Sequence, residues 1–158
     1  MTIFCPFNNI KEIEGLKTCY QSCFSLLDTI SALTGLTLAV ISHDKKIIAA
    51  SSVVNEFCNQ VCNAGGSGLV RKECLEFHEK LLNKALVTKE FQTDTCRFNL
   101  ISFVVPVKSD KEVRELFVVG GHYLDSSEGV RLPESDLLVD LEASEQEILE
   151  QYKKSPVI

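Results

Sequence analysis

Seven cysteines in 158 residues are the first feature that could carry chemistry. Cys58 and Cys62 stand four apart in a stretch with helical patterning, so both side chains project from one face; Cys74 and His78 repeat that arrangement on the next helical stretch. Cys96 lies at the bend before a long β-prone run. Folded together, Cys58, Cys62, Cys74 and Cys96, with His78, would offer four or five soft ligands. The pattern Cys-x3-Cys-x11-Cys-x3-His is close to zinc spacing without being a standard finger, and thiolates suit an iron–sulfur cluster equally well. The bland alternative is that cysteines at helical spacing beside Phe57, Phe77 and Leu81 are small core residues. On that reading His78 is a partly exposed helix residue.

The other histidines divide by context. His43 falls in a turn between two β-prone runs, where solvent is the expected partner. His122 ends an apolar run and is the better pocket candidate, with a satisfied strand-end histidine as the alternative. A Cys/His nucleophile pair would need a base in hydrogen-bond reach and an oxyanion hole. No Gly-x-Ser-x-Gly elbow, His-Glu-x-x-His helix, phosphate loop or dinucleotide fingerprint occurs.

These residues are positioned by a recognisable order of elements. Residues 15–33 read as a helix, with Leu16, Tyr20, Cys23, Phe24, Leu27, Ile30 and Leu33 at three- and four-residue steps and Gly35 available for a left-handed C-cap. Residues 36–42 and 46–51 form a hairpin about Asp44-Lys45. Residues 53–62 and 69–86 read as helices flanking the glycine-rich 64–68. Residues 90–95, 98–107 and 113–123 are β-prone, with a turn at 109–111. Ser144-x-x-Glu147 is a capping box opening a last helix through Tyr152. Two strands, a helical insertion, three strands and terminal helices predict an α+β fold: a PAS-like five-stranded antiparallel sheet with helices covering one face.

Composition bounds the function. Length and 45% hydrophobic content fit one ordinary domain. The N-terminus has no apolar signal segment, and a reducing cytosol is the default compartment for unpaired cysteines. Residues 1–124 carry 13 basic and 13 acidic side chains, whereas residues 125–158 carry 3 and 9, the whole net charge of −6. An acidic chain is unsuited to gripping nucleic acid or an anionic membrane surface.

Several stretches together resemble the PocR sensory domain. They are Asn55-Glu56-Phe57-Cys58, Cys74 on a helix, Cys96 before a strand ending in Pro106-Val107, and Phe117-Val118-Val119-Gly120-Gly121-His122. Leu100-x5-Pro106-Val107 and the closing 150–158 belong to the same likeness, which spans about residues 16–158. Cys58, Cys74 and Cys96 match that family's cysteines. Arg97 and Asn99 stand where a His and a Gly are usual, and Gly121-His122 replaces a Gly-Gln pair. The resemblance implies a PAS-like fold and recognition of simple organic molecules, diol-like or hydrocarbon derivatives, by a module of prokaryotic signalling proteins and transcription regulators.

The leading expectation is therefore a single sensory domain: N-terminal helix 15–34, PAS-like core 36–123, acidic loop and helix 124–158. It binds a small organic ligand in the cytoplasm and performs no catalysis. Its pocket is assigned to Phe57, Cys58, Cys74, Cys96, Phe103 and His122, with Cys58, Cys74 and Cys96 close together and Cys5 and Cys19 elsewhere. The alternative is a metal or redox module on Cys58, Cys62, Cys74 and Cys96, holding zinc or an iron–sulfur cluster. The apolar end Pro156-Val157-Ile158 and the stripe Ile148, Leu149 and Tyr152 lead us to expect a piece of a longer homodimeric signalling protein with a kinase, cyclase or DNA-binding output.

Overall fold

The computed structural model describes residues 21–63, 69–107, 116–125 and 145–157. Helix α1 (Gln21–Thr34) precedes the hairpin β1 (Thr37–Ser42) and β2 (Ile47–Ala50). Helices α2 (Glu56–Asn63) and α3 (Leu69–Thr88) form the insertion. Strands β3 (Gln92–Thr95), β4 (Ile101–Val107) and β5 (Leu116–Tyr123) follow, then α4 (Glu145–Lys153). All strand neighbours are antiparallel, in the order β2-β1-β5-β4-β3, the expected PAS-like α+β architecture. Expected features at 15–20, 64–68 and 109–111, and the cap residue Ser144, lie outside the described residues.

Strand alternation divides the core. Ile41, Val104, Phe117 and Val119 face Leu81, Leu82 and Ala85 of α3. Leu38 and Val40 point the other way, against Leu27 and Phe24 of α1. A third cluster joins α2, the turn before β4, and α4 through Phe57, Phe98, Leu100, Ile148 and Tyr152.

Three expectations change. Strand β4 begins at Ile101 rather than Phe98, because residues 96–100 close the β3–β4 hairpin. The Asn99 amide donates to the Cys96 carbonyl and the Cys96 amide to the Leu100 carbonyl, each at 2.9 Å. Asn99 takes φ 60 there, a left-handed conformation open to Asn as well as Gly. The α1 stripe is only partly internal: Leu27 is buried, but Ile30 and Leu33 are 38% and 81% exposed, as is Leu26 beside the stripe at 60%. The stripe on α4 needs no outside partner, since Ile148 and Tyr152 are buried within the chain itself.

Gly35 caps α1 as expected. Its φ is 74 and its amide donates to the Ser31 carbonyl at 2.7 Å, the αL type of helix ending. A Cβ there would lie 3.1 Å from the Pro156 Cβ. Gly35→Ala is therefore expected to cost about 1–2 kcal/mol, read as a lowered urea midpoint at unchanged m-value. An unaltered midpoint would mean that residue 35 is not held in the left-handed conformation against Pro156.

Candidate functional site

The interior beneath the helical insertion has an apolar and a polar layer. Phe57 is the fixed point of the apolar layer: its ring meets Phe98 edge-on at 5.2 Å and Tyr152 at 5.0 Å, geometries that aromatic quadrupoles favour. Cys58, Cys74 and Cys96 all pack against this cluster. The Tyr152 hydroxyl donates to the Phe98 carbonyl at 2.8 Å. Its pKa is pushed up to about 12 by burial, with the neighbouring Cys96 and Cys58 thiols adding to the shift. Burial likewise raises the Cys96 thiol above its ordinary value, against three opposing hydrogen bonds from the backbone of its own turn, and so keeps it from the thiolate form a nucleophile needs.

The polar layer is built on the β4–β5 end of the sheet. The ladder slips between Ile101 and Ser102, which pair with Tyr123 and Gly121 and leave His122 as the extra residue. A bulge of this kind re-aims a side chain. His122 takes φ 64 and turns its ring to α3, where its Nε2 lies 3.1 Å from the Nε2 of His78. His78 Nδ1 is 2.8 Å from the Cys74 carbonyl. A carbonyl only accepts, so Nδ1 carries the proton, His78 Nε2 accepts, and the His122 Nε2–H donates to it. Both rings are held neutral. Burial lowers His78 to about 4, partly opposed by the Cys74 hydrogen bond; burial, with the charge of His78 second, lowers His122 to about 3. Ser102, on the same sheet face as Val104, is buried, and its hydroxyl has no hydrogen-bond partner among the described residues.

Asn55 ties the layers together. It is the N-cap of α2: its Oδ1 accepts from the Cys58 amide at 3.0 Å, the role for which Asn is favoured. Its Nδ2 donates to the His122 carbonyl at 3.2 Å and to the Ser155 hydroxyl at 2.9 Å.

Phe57, Cys58, Cys74 and Cys96 thus meet at one aromatic cluster, and His122 sits in the adjoining polar layer. Phe103 does not join them. Alternation along β4 sends it to the α1 face, with Leu27 and Leu38, where it stacks on Phe91 at 6.5 Å. His78, expected to be partly exposed, is buried, because its ring lies over the sheet end rather than on the solvent side of α3. Tyr152, Ser102 and the bridging role of Asn55 were missed. Asn55, three residues before Cys58 at a helix start, carried a readable cap signal, whereas a hydroxyl's lack of partners has no sequence signature. As for a metal, no group of three or more His, Cys, Asp or Glu among the described residues could hold one. The side chain of Cys62 lies outside the described residues, as do Cys5 and Cys19.

The described sheet is antiparallel and five-stranded in the order β2-β1-β5-β4-β3, with α2 and α3 inserted in the chain between its second and third strands. The chain belongs to the PocR sensory-domain family: the family described as "Sensory domain found in PocR" matches residues 7–158. Among solved structures it is similar to one described as the crystal structure of sensory box sensor histidine kinase from Vibrio cholerae. That pair shares a TM-score of 0.41 and 14% identity over 66% of this chain and 92% of the other. No curated protein matches. The chain is a signal-sensing domain, and no helix among its described residues is long and apolar enough to cross a membrane.

Proposed function

We propose that this domain binds a small uncharged organic molecule bearing hydroxyl groups in the space between α2, α3 and the β4–β5 end of the sheet. The observation that carries this reading is the buried Ser102 hydroxyl, which has no partner among the described residues and stands opposite Gly121, the residue before His122, since a buried polar group is normally satisfied. A ligand hydroxyl would satisfy Ser102, with neutral His122 at the neighbouring position of β5. Phe57, Cys58, Cys74 and Cys96 would supply the apolar wall that small-ligand sites require. With both histidines neutral, an anionic ligand would meet no compensating charge from the pair.

Binding is the whole task of this domain, without catalysis, in the cytoplasm of a prokaryotic cell. The output is a kinase, cyclase or DNA-binding domain in the same longer polypeptide, working as a homodimer. Leu26, Ile30 and Leu33, exposed at steps of four and three along α1, follow the a/d spacing through which two copies of a helix pair. The net charge of −6 supports neither nucleic acid nor a membrane surface as a direct partner.

The test is a thermal-shift and native mass-spectrometry series comparing 1,2- and 1,3-diols with carboxylates of matching length. A diol is expected to raise Tm in proportion to log concentration, with the effect lost in Ser102→Ala and His122→Phe, and the mass should be that of a dimer. Stabilisation by carboxylates alone, or by no member of the series, would sink the reading, as would diol binding that survives both substitutions.

A further inference from the structure

The chain's C-terminal segment is fastened to the candidate site through one side chain. Asn55 is buried and its polar groups are fully committed. Its amide nitrogen donates to the Thr37 Oγ1 of β1 at 3.0 Å. Its Oδ1 caps α2 at Cys58, and the two Nδ2 hydrogens reach His122 and Ser155. Beyond Ser155, the Pro156 carbonyl accepts from the Leu124 amide at 2.8 Å. His122 is therefore held at both ends: its ring by His78 and its carbonyl by Asn55.

We infer that Asn55 is the positioning residue that couples the His122 end of the site to the C-terminal segment at Ser155 and Pro156. The inference rests on the ligand-binding reading above for its purpose, though not for its test. The reason is geometric. An amide group short enough to cap α2 and carrying two donors is unique to Asn: Asp cannot donate, and Gln would move the head group by a methylene. In a buried network an unmet partner costs more than a met one contributes. A shift of the His122 carbonyl, on the left-handed bulge whose ring meets His78, thus leaves an Nδ2 donor unpaired unless Asn55 turns. Turning Asn55 releases the Ser155 hydroxyl.

The experiment is a double-mutant cycle on the full chain with no ligand present, read by amide hydrogen exchange. The reporters are Lys154 and Ser155, whose amides donate to the Gln151 and Tyr152 carbonyls. His122→Ala keeps the carbonyl that Asn55 bonds but removes the ring's anchor on His78. By letting the carbonyl shift, it is expected to speed exchange at these amides by about tenfold, the scale of one weakened hydrogen bond. In a Ser155→Ala background, with the link cut, the same change should add less than about twofold, because coupling shows as non-additivity. The Ser42 amide, which donates to the Lys46 carbonyl at 2.9 Å in the β1–β2 hairpin, serves as the control for overall stability. If His122→Ala does not fold, His122→Gln is put through the same cycle. Equal effects in the two backgrounds, or none at the reporters in the native background, would overturn the coupling. An additive cycle leaves the binding reading standing, and a diol series without effect leaves the cycle interpretable.

Discussion

Acidification from pH 7 to about pH 4.5 is expected to remove several kcal/mol of folding stability through the histidine pair. An unfolded histidine titrates near its ordinary value of about 6.5, whereas burial holds His78 at about 4 and His122 at about 3 in the fold. Between those values the unfolded chain carries protons that the folded chain refuses. Stability is therefore fully present above about pH 6.5. It falls as pH drops below that value, and the loss is complete only once pH has passed through the folded values. With two sites the slope reaches at most about 2.7 kcal/mol per pH unit. Urea unfolding at half-unit pH steps measures it, compared with a His78→Gln/His122→Gln variant. The native chain should lose stability faster than the variant across about pH 6.5 to 4.5. Parallel curves would show that the pair is not buried neutral.

Phe57→Ala is expected to destabilise the domain by about 3–5 kcal/mol, the usual cost of emptying a fully buried aromatic site. Phe57 is inaccessible to solvent and supports two edge-on aromatic contacts, so the cavity cannot close without moving both the 96–100 turn and α4. Tyr152→Phe isolates one part of that assembly: it keeps the ring and loses the bond to the Phe98 carbonyl, at about 1–2 kcal/mol with a buried acceptor left unmet. The two measurements together decide whether α4 belongs to the folding unit. If α4 were a detachable appendage, Tyr152→Phe would leave the unfolding midpoint unchanged, and Phe57→Ala would cost less than about 2 kcal/mol.

Much of this arrangement was legible in the chain before its folding. The five strands announced themselves by β-branched runs between turn residues, because local backbone preference and period-2 patterning are properties of short segments. Gly35 was readable as a cap because a left-handed ending selects glycine almost by itself. The gathering of Cys58, Cys74 and Cys96 followed from their helical spacing and the bend before β4, together with the family resemblance.

The faces were a different matter. Phe103 was assigned to the site and belongs to the other side of the sheet, since adjacent strand residues point oppositely and the register is set by pairing with β5. The His122 ring lies on the α3 side of the sheet, where simple alternation would not have put it; the bulge at Gly121 and His122 did, and a bulge depends on how two strands meet. The apolar stripe of α4 looked like a surface awaiting a partner because periodicity reports amphipathicity without naming what covers it.

The amino-acid sequence by itself determined the class of fold, the order of its elements, the acidic tail and the residue types available for chemistry, all of which rest on local patterning. Tertiary structure alone decided that His78 meets His122, that the Ser102 hydroxyl finds no partner among the described residues, and that Asn55 joins β1, α2, β5 and the C-terminal segment. Those contacts span 44, 67 and 100 positions, and burial, which sets their protonation and their energetic weight, exists only once the distant segments have packed.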